Sequence, residues 1–258
     1  MRSLLLVWAW LTCSYFSAEG AIVVLNGLTH VHHAGRGAEI QGKVRLKNDG
    51  KAPARVLIYR QDLVAECGKS PDYVNDSGSA SSLSRWLSTN VDEKTLEPGE
   101  EYEVIYTVRV PQEEVPDGSY WQALMVEGAD PVKEENVQGI SVSSKVRYAI
   151  QVVVNVGAFK SPVVTFENVE FRKGEQPSLA VVLKNSGKYT SVVKVTVELH
   201  NEEGARVRKI ETSGRRIYPS FCSSFTLDLQ GITPGKYAGV IIADNGTDLF
   251  GSNLSLEL

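Results

Sequence analysis

Three cysteines, two methionines and four histidines among 258 residues leave little material for a metal cluster or a disulfide-built scaffold. Positive charge is not in excess either. With 27 Lys and Arg against 31 Asp and Glu, the chain lacks the basic surface of a nonspecific nucleic-acid binder, and no nucleic-acid partner is expected. After the first twenty residues no apolar run reaches the ~18 residues that a membrane helix needs, so the mature chain is expected to carry no transmembrane segment. The signatures of common catalytic sites are missing as well. There is no GxSxG, phosphate-binding loop, dinucleotide glycine fingerprint or CxxC, and the expectation is a nonenzymatic protein with no cofactor and no metal.

What is present is ordinary globular material: 42% hydrophobic and 22% charged residues, with 22 Gly and 10 Pro. Met1-Arg2 leads into SLLLVWAWLTCSYF and then the small residues Ser17, Ala18, Gly20 and Ala21, the order of a secretory signal peptide over residues 1–20. The protein is therefore expected to be secreted or periplasmic. Cys13 lacks the small residue that lipid-modification sites favour before the cysteine, so lipid anchoring is not expected. Removing the leader leaves Cys67 and Cys222. An oxidising compartment permits a disulfide between them, and two unpaired cysteines are the alternative. Sequons stand at Asn75, Asn245 and Asn253.

Apolar residues alternate with polar ones through Ile40, Val44 and Leu46, through Tyr102 to Val110, and through Val193, Val195, Val197 and Leu199. A period of two predicts strands with one buried face. Turn clusters such as Asn48-Asp49-Gly50, Pro116-Asp117-Gly118 and Asn185-Ser186-Gly187 separate them. KVRLKNDGK from Lys43 echoes AVVLKNSGK from Ala180, and VPDGSYWQALMVE from Val115 echoes ITPGKYAGVIIAD from Ile232. This repeated grammar predicts an all-β chain of two tandem immunoglobulin-like β-sandwich domains, 21–156 and 163–258. The first copy holds a surplus, placed in the Ser-rich insertion around Asp62 to Leu87, which reads equally as a ligand-contacting flap or as a bland insertion. Residues 21 to 156 carry 14 basic and 19 acidic side chains, whereas residues 157 to 258 carry 12 and 11, an asymmetry suited to orienting a partner.

Candidate sites are few. His30 and His32 share one strand face and would be two ligands of an incomplete metal site, against a solvated strand end or loop as the plainer reading. Arg206, Arg208, Lys209, Arg215 and Arg216 gather in one predicted hairpin, where guanidinium forks suit carboxylates and where charge also protects a sheet edge. Tyr120, Trp121, Tyr218, Phe221 and Tyr237 are expected mostly in cores, and alternation about Phe221, Ser223 and Phe225 turns Cys222 outward.

The order KVRLKNDGKAPARVLIYRQD, SLSRWLSTNVDEKTLEPGEEYEVIYTVRVP, DGSYWQALMVE and SSKVRYAIQVVVNV resembles the N-terminal sandwich of bacterial surface WxL-interacting proteins. It is similar, more distantly, to the periplasmic chaperones of pilus assembly. The latter resemblance implies an assembly chaperone that holds a fimbrial or surface subunit by β-augmentation in the interdomain groove, with Val146, Tyr148, Ile150, Val152 and Val154 as the docking row. The former implies a surface adaptor for an extracytoplasmic protein or cell wall. An accessory module binding carbohydrate or cell-wall glycan is the second reading.

Overall fold

In the computed structural model the described residues are 22–67, 69–113, 115–129, 132–134 and 142–258. The leader and Cys13 lie outside them. The chain is all-β. Its first part holds β1 (Ile22–Val24), β2 (Thr29–Ala34), β3 (Glu39–Asn48), β4 (Ala54–Val64), β5 (Asp72–Val74), β6 (Leu87–Thr89), β7 (Glu93–Leu96), β8 (Glu101–Arg109), β9 (Gly118–Gly128), β10 (Val132–Glu134), β11 (Val142–Ser144) and β12 (Arg147–Val156). The second part holds β13 (Val164–Arg172), β14 (Ser178–Asn185), β15 (Ser191–His200), β16 (Arg206–Glu211), β17 (Arg215–Ile217), β18 (Cys222–Asp228), β19 (Lys236–Asp244) and β20 (Leu249–Glu257).

Two sheets face each other in the first sandwich, one ordered β1-β3-β8-β6 and the other β2-β12-β9-β4, with β5 and β7 on the outer edge of β4. The alternating runs bury one face. Val44, Leu46, Val104, Tyr106 and Val108 point into a core shared with Ile58, Leu124, Ile150, Val152 and Val154, while Lys43 and Arg45 stay in water. Each of those aliphatic side chains contributes about 1.5–3 kcal/mol by leaving water. β9 does not alternate, because both of its faces are covered: residues 118–126 are buried without interruption. The second sandwich packs β13-β14-β18 on β16-β15-β19-β20, around Leu183, Val195, Val197, Leu199, Phe225 and Ile241. β16 and β17 are not two arms of a hairpin. They lie end to end on the same edge of β15, so Arg206–Lys209 and Arg215–Arg216 occupy separate places.

The chain crosses between sheets at its start. β1 runs antiparallel to β3 in one sheet, and after the break at Asn26-Gly27-Leu28, β2 runs parallel to β12 in the other. Antiparallel neighbours are the commoner pairing, and the parallel contact arises here because one segment seals the same sandwich edge twice.

Both repeats have a hydrogen-bonding cause. Asn48, fully buried, donates through Nδ2 to the carbonyls of Ala52 and Leu96 and accepts from the Gly50 N–H. Asn185 does the same with Tyr189, Ile217 and Gly187. Likewise the Tyr120 hydroxyl donates to the Pro116 carbonyl and the Tyr237 hydroxyl to that of Thr233, four residues back in each case. A short amide at this point satisfies three backbone groups that water cannot reach. Replacing Asn48 or Asn185 by Ala is expected to cost on the order of 2–4 kcal/mol, since buried carbonyls lose their donors. The measurement is the shift of the denaturant midpoint, with Asn90→Ala, whose side chain is exposed, as the mild control.

Candidate functional site

The two sandwiches meet through a buried junction. Trp121 of β9 packs its ring 4.8 Å from Tyr218 and 5.5 Å from Phe221, and Leu63 and Val153 close the cluster. Polar groups in this contact are paired. The Tyr218 hydroxyl donates to Gln151 Oε1 at 2.7 Å, and burial pushes that hydroxyl well above the ordinary tyrosine range. Ser119 Oγ donates to Asn155 Oδ1 and accepts the Thr190 N–H, while the Ser119 N–H reaches the Lys188 carbonyl. The Tyr189 hydroxyl sits 3.0 Å and 2.8 Å from the Val156 and Ala158 carbonyls, where the strand leaves for the connector. Gly157 turns that corner at φ 82°, and a side chain there would collide with the Asp117 carboxylate.

The surplus of the first copy forms part of this junction. Its Ser-rich stretch is organised by Asp62, which is buried and accepts hydrogen bonds from the Ser77 N–H, Ser77 Oγ and Ser82 Oγ. Burial pushes the Asp62 carboxyl up, but the Ser77, Ser82 and Gln122 hydrogen bonds outweigh it and hold the group below the usual carboxylate range. From the same insertion Cys67 is disulfide-bonded to Cys222, with Cα atoms 4.9 Å apart. The outward, exposed thiol expected at Cys222 is therefore corrected: the side chain is half-buried and oxidised, because the insertion folds back over β18.

Between the insertion and β17 lies a cleft of about 360 Å³, lined by Ala65, Pro71, Tyr73, Arg215, Arg216 and Phe221, with Thr29 and Gln151 contributed by β2 and β12. Arg215 donates to the Ser224 carbonyl at 2.6 Å and lies over the Phe225 ring. Arg216 is half-buried and donates to Thr190 Oγ1 at 3.1 Å. Among the described residues neither guanidinium has a carboxylate within 4 Å, and desolvation holds Arg216 below the ordinary arginine value despite the opposing influence of Tyr218. Half-burial of Arg216 without an ion pair among the described residues costs it solvation free energy.

β12 leads into that cleft. Its inner half, Gln151–Val156, is covered by β2 on one side and by β9 on the other. The Gln151 N–H points to the Leu28 carbonyl, and Val146 points the other way, to Gly128. By strand alternation the backbone groups of Arg147 and Ala149 face the β2 side, where no described residue pairs with them. The expected docking row needs correction at this point. Ile150, Val152 and Val154 are fully buried in the first core, since their faces look inward between the sheets, and they are not available to a partner's pockets. Tyr148 is half-buried, its hydroxyl on the Ile22 carbonyl at 3.2 Å, and Val146 alone of the row is exposed.

The remaining candidates also have places. Trp121 is 6% exposed beneath Tyr218 and Phe221, which removes it as a stacking platform for sugars. His30 and His32 face inward on one hydroxyl, that of Tyr106, rather than a solvated strand end. Among the described residues no group of three or more His, Cys, Asp or Glu is placed to hold a metal ion, and no helix is long and apolar enough to cross a membrane. Thr29, Gln151 and Tyr73 were missed by sequence reading, since nothing in strand periodicity brings three distant segments to one cleft.

No family model and no curated protein matches the chain. Among solved structures it is similar to a chaperone–tip adhesin complex of CFA/I fimbriae biogenesis, at 12% identity and TM-score 0.46, over 92% of this chain and 97% of that one. It is similar to the YadV chaperone at 13% identity and TM-score 0.46, over 92% and 100%. A third is the CsuC–CsuE chaperone–tip adhesion subunit pre-assembly complex of archaic chaperone-usher Csu pili from Acinetobacter baumannii, at 16% identity and TM-score 0.48, over 90% and 97%.

The disulfide ties the insertion to the second sandwich across 155 residues, so it constrains the unfolded chain strongly. Reduction is expected to lower stability by about 2–4 kcal/mol. A Cys67→Ser/Cys222→Ser variant should match the reduced protein in denaturant midpoint and ignore added reductant.

Proposed function

We propose that this is an exported, nonenzymatic, chaperone-like factor of two domains, 21–156 and 163–258, that holds an extended segment of another extracytoplasmic protein, a fimbrial or surface subunit. The observation that carries the reading is the backbone edge of β12 at Arg147 and Ala149, which no described residue pairs, running into a cleft lined by Arg215 and Arg216, neither ion-paired among the described residues. A strand added parallel to β12 would lie in line with β2, which is itself parallel, and its C-terminal end would arrive beside Thr29 and Gln151. Its carboxylate would then face Arg215 and Arg216. Exposed Leu28 and Val146 flank the same edge with apolar surface.

Magnitudes show why both features are needed. Arg147 and Ala149 offer two to four backbone hydrogen bonds at roughly 0.5–1.5 kcal/mol each, less than the ~4–15 kcal/mol that association costs in lost freedom. A desolvated guanidinium–carboxylate pair and the apolar flanks supply the remainder. An extracytoplasmic compartment is supported by the leader read from the sequence and by the disulfide, which persists outside the reducing cytosol. The glycan-module reading is weaker, because the aromatic side chain it depended on is spent on the junction.

Crosslinking in the native host followed by mass spectrometry tests the reading, with two variants beside the wild type. Ala149→Pro removes a donor from the open edge without removing a bond to β9, and Arg216→Gln removes the deeper charge. Capture of a subunit should fall at least tenfold in each while the denaturant midpoint moves little. Wild-type capture by both variants, or recovery of glycan alone, defeats the proposal.

A further inference from the structure

The parallel contact of β2 with β12 is secured on its inner side by one buried hydroxyl. Tyr106, on β8 and fully buried, extends across Gly42 of the neighbouring β3, where any side chain would collide with its hydroxyl. Its oxygen lies 2.8 Å from His30 Nδ1 and 2.8 Å from His32 Nε2. Proton positions follow from the outer partners. His30 Nε2 stands 2.8 Å from the Gly27 carbonyl, which only accepts, and 3.3 Å from Asn26 Nδ2, which only donates; the shorter contact assigns that nitrogen a hydrogen. In a neutral ring His30 Nδ1 then has the lone pair and takes the Tyr106 proton, and the Tyr106 oxygen accepts from His32 Nε2. The chain runs His32 to Tyr106 to His30 to Gly27, and the Tyr106 hydrogen keeps an acceptor only while at least one of the two imidazoles is neutral.

A proton added at His30 Nδ1 turns that nitrogen into a donor. The buried Tyr106 hydroxyl can then reverse and donate to His32 Nε2, but a second proton, on His32, leaves the hydroxyl hydrogen facing two donors and puts two like charges on one strand face. The groups around the relay offer no compensation. β2 presents His30, His32 and His33; β8 presents Tyr106; β12 presents the apolar Val152 and Val154 in register with His30 and His32; and the preceding turn presents Asn26, whose Nδ2 lies 3.3 Å from His30 Nε2 and whose amide also binds the Lys43 and Arg45 backbone. Lys43 and Arg45 themselves lie on the solvent face of β3, paired with Glu103 and Glu101. Burial, then His30 and His33, hold the His32 imidazole below its ordinary value, and no carboxylate is among the causes.

We infer that β2 is an acid-sensitive latch on β12: seated at neutral pH through the His32–Tyr106–His30 relay, and released from β12 as the pH falls, which lengthens the open edge from Arg147–Ile150 to the whole strand. The sign follows from proton linkage. Above about 6.5 an imidazole on the free strand is neutral, so protons do not favour release. Below it, the free strand takes up a proton at His32 that burial resists in the seated strand, so release is favoured as the pH drops. The consequence for partner binding rests on the proposed strand addition, but the latch itself is a property of the unliganded protein.

Amide hydrogen exchange of the full mature chain, expressed as protection factors to remove the intrinsic pH dependence, separates the two. Amides of Gln151, Val153, Asn155 and Gly157 face β2, as the bonds of Gln151 to Leu28 and of Gly157 to Ala34 show, whereas those of Val152 and Val154 face β9. Between pH 7.5 and 5.5 protection of the first set is expected to fall at least tenfold while the second set holds. A His30→Gln/His32→Gln variant should lose this pH response, and Tyr106→Phe should show weak protection of the first set at both pH values. Equal change in both sets, no change in either, or an unaltered response in the histidine variant overturns the latch. Failure of subunit capture with the latch response intact would instead count against strand addition.

Discussion

Strand β12 is shared between incompatible demands, and the way its backbone donors and acceptors are divided governs what the first sandwich presents. Its even-numbered groups bond to β9 along the full length, and its odd-numbered groups bond to β2 only from Gln151 onward. Its side chains are divided as well. Ile150, Val152 and Val154 enter the first core, whereas Val153 and Gln151 turn to the second sandwich. A strand buried on both faces reads as an unbroken apolar run, and only its edge carries free hydrogen-bonding capacity.

The junction follows from the same strand and its neighbour. Trp121 and Val153 are adjacent across β9 and β12, so their common face is apolar and must be covered. Tyr218 and Phe221 cover it from the second sandwich, and the insertion covers it from the side, held by the Asp62 hydrogen bonds and the Cys67–Cys222 bridge. The cleft exists because these three contributions do not fill the corner where β2 begins. Arg216 lines that corner half-buried and without an ion pair among the described residues, whereas the arginines on β16 are exposed to water.

Much of the architecture was legible because local rules and global packing agree. Alternation placed Val193, Val195, Val197 and Leu199 on one face, and all four are fully buried. The repeated Asn-x-Gly was visible as a turn signal, though its real work is done by the buried amides of Asn48 and Asn185. The docking row failed for an instructive reason: alternation identifies which residues share a face but not which side of the sheet that face meets. The arginine hairpin failed similarly. Two short charged segments near each other in sequence sit end to end along β15 rather than face to face.

Composition and periodicity by themselves determined that the chain is β throughout, that its grammar occurs twice, and that no common catalytic constellation is spelled out along it. These properties live within a dozen consecutive residues, where strand geometry dictates side-chain direction. Only the tertiary structure decided that Cys67 meets Cys222, that His30 and His32 converge on Tyr106, and that Arg216 shares a cleft with Thr29 and Tyr73. Such meetings join segments far apart in the chain. They are set by how sheets twist, cross and stack, and no local pattern encodes that.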